Sequence, residues 1–155
     1  MPKKKKGKKI KAAVCTCNLT AKQLTVMFGL FLLVHSVIIY VASMWFKEAV
    51  ILGTHVFSPI AALVNSMITF TLIVVAATPV IEFISEQLKI KLTCLHWSVL
   101  HFFINAGALW LVARFAEQLG MGISSWKVVV VLALVFDLAQ ALLMKLAINK
   151  CDCDK

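Results

Sequence analysis

The sequence is short of charge. Only 15% of its 155 residues are Asp, Glu, Lys or Arg, and only seven are acidic. A disordered chain needs more charge and less apolar surface, so that class is excluded. The chain also lacks the motifs of common chemistry. It has no Cys-X-X-Cys, no phosphate loop, no His-Glu-X-X-His and no paired carboxylates within one apolar run. Neither a thiol oxidoreductase nor a metalloprotease is expected, and the chain reads as non-catalytic. What is present is apolar. Hydrophobic residues make up 61% and mean hydropathy is +0.93, against about 45–50% apolar in soluble domains. One core in a chain of this size cannot hide that much apolar surface. A soluble enzyme and a soluble nucleic-acid binder are therefore excluded as well. A small polytopic membrane protein remains.

The net charge of +9 is unevenly placed. Eight basic residues precede the first apolar run: Lys3, Lys4, Lys5, Lys6, Lys8, Lys9, Lys11 and Lys22. Lys89 and Lys91 sit mid-chain, and Lys145, Lys150 and Lys155 close it. Between these groups lie four apolar runs, about 24–46, 57–83, 92–115 and 126–148. Each is near the ~20 residues that span a bilayer, and backbone in hydrocarbon must be helical to satisfy its own hydrogen bonds. Four spans put both termini on one side. A cytoplasmic N-terminus leaves thirteen basic residues inside and three outside, so both termini are expected in the cytoplasm. The first run is too long for a cleaved signal peptide and lacks a small-residue cleavage site. The fold class is all-α: a basic tail (1–23), a four-helix transmembrane bundle (24–148) and a Cys/Asp tail (149–155).

The two halves resemble each other. Phe31-Leu32-Leu33-Val34-His35-Ser36, followed by Ile39-Tyr40-Val41, aligns with Phe102-Phe103-Ile104-Asn105-Ala106-Gly107, followed by Leu109-Trp110-Leu111. Ala61 to Asn65 aligns with Ala133 to Asp137. A parallel duplication of a helical hairpin gives this pattern, with its pseudo-twofold axis along the membrane normal.

Few polar residues interrupt the spans. Asp137 is the most informative, because an acid at mid-membrane costs at least about 2.5–3.5 kcal/mol. It must face the bundle interior, be paired or be protonated. Either it serves a proton- or cation-responsive site, or it locks helix packing through a hydrogen bond. His35, Asn105 and Asp137 all fall roughly 16–20 Å from a membrane face at 1.5 Å per residue. His101 lies one turn from Asn105, and Gln140 one turn from Asp137. These five form the candidate intramembrane polar site, in which a His–Asp pair is able to carry a proton. Cys94, Ser98, His101 and Asn105 share one helical face. Gly29, Ser36 and Ser43, at seven-residue steps, form a small-residue seam for close helix approach. Pro79 is expected to kink or end the second helix. Trp45, Trp97, Trp110 and Trp126, at or within a few residues of the expected helix ends, suit interfacial anchoring; Trp110 is the least interfacial of them, with packing inside the bundle as its alternative.

Cys15 and Cys17 precede the first span, and Cys151 and Cys153 follow the last. In the cytoplasm stable disulfides are not expected. Four thiolates brought together would suit Zn or another soft metal. Reversible palmitoylation and unmodified thiols are the alternatives, and no other cofactor is expected. Lys3, Lys4, Lys5, Lys6, Lys8, Lys9 and Lys11 suit anionic lipid headgroups. The tail has no interleaved aromatic for base stacking, so no specific nucleic-acid partner is expected.

Leu63-Val64-Asn65-Ser66, Pro79, Ile104-Asn105-Ala106 and Trp110-Leu111-Val112 together resemble a group of small four-helix bacterial proteins of the phage-holin superfamily IV. The resemblance covers roughly residues 30 to 148. It implies a four-helix membrane bundle and a pore-forming ancestry, in a group without one settled function. The sequence departs from that pattern. It has Ala116-Glu117-Gln118-Leu119-Gly120 where the group often carries Pro-Gly, and it adds the lysine tail, the terminal cysteines and Asp137. The leading expectation is a structural or accessory membrane component, homo-oligomeric or within a larger complex. The alternative is a small transporter or holin-like pore coupled through Asp137.

Overall fold

In a computed structural model, residues 21–89 and 94–147 are described, with side chains at 25–89 and 95–144. The candidate lipid-binding lysines at positions 3 to 11 and the candidate metal ligands Cys15, Cys17, Cys151 and Cys153 lie outside the described residues, as does the Cys94 side chain. The chain is mostly helical. Its elements are α1 (Ala21–Trp45), β1 (Val50–Leu52), α2 (Pro59–Gln87), α3 (Cys94–Arg114), α4 (Ala116–Leu119), β2 (Met121–Ile123) and α5 (Trp126–Ala147). Four of the helices are long and apolar enough to cross a membrane.

Each long helix follows from its sequence. Ser58 caps α2, its hydroxyl accepting from the Ala61 N–H at 3.4 Å. Pro59 occupies the first turn, where its missing N–H would have had no partner anyway. Pro79 does not end α2, which runs on to Gln87. Its ring removes only the bond to residue 75. The apolar run on both sides and the solvated last turns, with Glu82 and Glu86 exposed one turn apart, carry the helix through.

α1 packs on α2, α3 on α5, and α2 on α3. The buried face of α1 is the four-spaced set Met27, Phe31, His35 and Ile39, a spacing that keeps side chains on one helical stripe. The expected seam of small residues is not that face. A β-carbon at Gly29 would meet nothing within 4 Å. Phe70, Phe136, Met67, Leu109, Val112 and Met121 fill the centre. Only 22–33% of each candidate span is buried inside the bundle, and large apolar side chains on all four long helices face outward. Trp110 is one of these, 57% exposed rather than packed within.

The hairpin loops hold a feature the helical reading did not contain. β1 and β2 pair antiparallel, Val50 with Ile123, Ile51 with Gly122 and Leu52 with Met121. Flanking bonds extend the ribbon, Gly53 N–H to Gly120 O at 2.8 Å and Ser124 N–H to Ala49 O at 3.0 Å. Opposite residues share a face. Val50 and Met121 point into the core, while Ile51 points away. The loop after α3 is also tied to α2: the buried Ser66 hydroxyl donates to the Leu119 carbonyl at 2.7 Å.

Candidate functional site

The candidate polar residues divide into two clusters. The first lies wholly inside the bundle and joins three helices. Asn105 on α3 and Gln140 on α5 face each other amide to amide. Asn105 Nδ2 donates to Gln140 Oε1 at 3.1 Å, and Gln140 Nε2 donates to Asn105 Oδ1 at 3.2 Å. Gln140 Nε2 also meets His35 Nε2 on α1 at 3.1 Å. With that amide nitrogen donating, His35 is a neutral imidazole with its proton on Nδ1. All three residues are buried.

The walls of this cluster are aromatic. His35 lies 4.4 Å from the Phe136 ring, 5.1 Å from Phe70 in edge contact and 5.7 Å from Phe31. These phenylalanines were not singled out from sequence, although the Phe31–His35 spacing of four was available to do so. The imidazole Nδ1 and the Thr71 hydroxyl are buried with no hydrogen-bond partner in the described residues. Each carries a desolvation cost that its neighbours do not return.

The second cluster lies at the surface of the α3–α5 seam. The Ser98 hydroxyl donates to Asp137 Oδ2 at 2.8 Å. His101 lies one turn along α3 from Ser98, and its ring meets Trp97 at 5.2 Å. Ser98, His101 and Asp137 are all partly exposed. Asp137 therefore does not join His35, Asn105 or Gln140, contrary to the shared network expected from depth alone. The polar stripe on α3 is split likewise, with Ser98 bonded to Asp137 and Asn105 to Gln140.

Among the described residues no three His, Cys, Asp or Glu side chains are grouped to hold a metal. A groove of about 310 Å³ lies beside Tyr40, Lys47, Pro59 and Leu63, away from both clusters. Chemically, the first cluster can fix the register of three helices. The second ties α3 to α5 through one hydroxyl–carboxylate hydrogen bond. No family model, curated protein or solved structure matches the chain. The resemblance to phage-holin superfamily IV rests on the short motifs quoted above.

Proposed function

We propose that this chain is a small integral membrane protein, with four spans and both termini in the cytoplasm, that serves as a structural or accessory component rather than a catalyst. The observation that carries the reading is the closed cluster of His35, Asn105 and Gln140. Polar groups at mid-helix are spent on one another across α1, α3 and α5, and aromatic rings surround the imidazole. Interhelical amide pairs of this kind hold membrane helices in one arrangement. The outward apolar faces suit lipid, and the basic residues cluster on the side of the termini.

We read the chain as a duplicated hairpin, α1–β1–α2 followed by α3–α4–β2–α5. The offset between the halves is 71 residues at Phe31 and Phe102, and the central ribbon pair, Ile51 and Gly122, has the same offset. A twofold axis along the membrane normal would pass through that pair. It exchanges Val50 with Met121, both buried, and Leu52 with Ile123, both half-buried.

Vesicles reconstituted with the purified protein test the reading. A structural component carries no proton or cation flux. A pH-dependent flux that Asp137→Asn alters would instead establish the second reading, a transporter or holin-like pore. One observation favours that alternative: Asp137 stays half-buried with a single hydroxyl on it.

A further inference from the structure

The groove at the loop end of the first hairpin has a chemistry that neither cluster shares. Residues of α1, the loop after it, β1 and α2 line its 310 Å³. Ile51, Leu52, Ile60 and Leu63 make it apolar. Tyr40 and Ile60 are 50% and 74% exposed, so the groove is open to whatever surrounds the helices. Tyr40 and Lys47 bring polar groups to it, about two helical turns apart, with Lys47 just past the end of α1. The Ser43 hydroxyl between them is spent on the Tyr40 carbonyl at 2.8 Å. Neither the Lys47 ammonium nor the Tyr40 hydroxyl makes a hydrogen bond or ion pair among the described residues, and no acid lines the groove.

In the membrane reading this groove sits at the outer interface. Trp45 and Phe46, 78% and 61% exposed, lie next to it in the chain, at the level where amphipathic rings settle. Tyr40 and Leu63 then lie deeper than Lys47, Tyr40 by roughly 10 Å. An occupant must offer negative charge at the level of Lys47 and hydrocarbon below it. A water-soluble anion would leave the apolar wall uncovered. An apolar helix from another chain would bury the ammonium without a counter-charge, which is strongly unfavourable. A phospholipid meets both demands. An anionic headgroup meets them best, because it has no ammonium of its own for Lys47 to repel.

We propose that the groove binds one anionic phospholipid of the outer leaflet, its phosphate paired with Lys47 and one acyl chain laid against Ile60 and Leu63. The Tyr40 hydroxyl donates to an ester oxygen between them. The proposal rests on the membrane reading given above. A lipid held in this way competes for one place per chain, unlike lipid that only wets the outward faces.

The full chain in phosphatidylcholine vesicles tests it, with a small share of photoreactive phosphatidylglycerol whose reactive group sits on the acyl chain near the glycerol. Peptide mass spectrometry locates the cross-links. Labelling should saturate at one lipid per chain, fall on residues 51 to 63, and yield to unlabelled phosphatidylglycerol before added phosphatidylcholine. Lys47→Gln should weaken it about fivefold, the factor that one basic residue near the surface contributes. Lys47→Arg should restore it. Lys127→Gln removes an exposed cation outside the groove and should change nothing. A photoreactive side chain at position 60 should capture lipid. Labelling that never saturates or spreads evenly over the outward faces would overturn the site. So would an unchanged Lys47→Gln, an equal loss in Lys127→Gln, or capture of a second chain from position 60 in place of lipid. Failure of the protein to float with vesicles would instead overturn the membrane reading.

Discussion

Gly120 lies so close to Ala62 that a β-carbon on it would sit 2.5 Å from the alanine's own and 2.7 Å from its α-carbon. Gly120 also holds φ at 92°, a region disfavoured for residues with a β-carbon. Both facts serve the same end. They let the segment after α3 lie on the first two turns of α2, with Ser66 holding the Leu119 carbonyl.

Gly120→Ala should therefore lower stability by about 2–4 kcal/mol, combining backbone strain with overpacking. Thermal unfolding in detergent reads the change. Gly107→Ala is the control. A methyl there meets nothing within 4 Å, and alanine favours the helix by about 1 kcal/mol. That variant should unfold no earlier than the native chain. Equal losses from both substitutions would contradict the close approach.

Replacing members of the buried cluster should rank them by the bonds each one holds. Gln140→Leu strips partners from both Asn105 and His35. Asn105→Leu strips them from Gln140 alone. His35→Leu leaves one amide hydrogen unpaired but keeps the Asn105–Gln140 pair. The order of destabilisation should be Gln140, Asn105, His35, with about 1–2 kcal/mol for the first. Denaturation of the three variants checks it, and a reversed order would show that the amide pair does not carry the cluster.

Thr71→Val should leave stability unchanged or raise it by up to about 1 kcal/mol. The hydroxyl is buried without a partner among the described residues, and a methyl of the same shape removes the desolvation cost. Hydrogen exchange or thermal unfolding suffices to read it. A clear loss of stability would mean that the hydroxyl has a partner, such as a bound water.

Topology gives a sided labelling pattern. In a chain whose native cysteines are serine, Ser124→Cys should react with an impermeant maleimide added outside. Glu86→Cys should react only once the inner face is opened. Neither position is buried. The reverse pattern would place the termini outside.

The four helices were readable because each apolar run is long and bounded by charge. The ends of the expected runs fall within about four residues of the helix ends. The polar site was only half readable. Counting residues gives depth, and depth placed His35, Asn105 and Asp137 at one level, with Gln140 one turn from Asp137. It does not give direction around the helix axis. Asp137 and Gln140 are three residues apart, so they point about 60° apart. That angle sends one to Ser98 at the surface and the other to Asn105 inside. The same holds for Trp110: its position along α3 does not say which side it faces, and it faces outward. The ribbon was unreadable for another cause. Three residues are too few to show alternation, and the partner strand lies some seventy residues away.

That separation bears on how the chain is assembled. β1 is made long before its partner, so during synthesis its edge stays open until residue 123 has followed. An open edge pairs readily with any other strand. Closing it is a long-range step that must wait for both hairpins to be in place. A chain interrupted between the hairpins would display an unsatisfied strand at its outer surface, available to another such chain. The ribbon thus acts as a late clasp, and its closure marks the point at which a nascent molecule stops being adhesive.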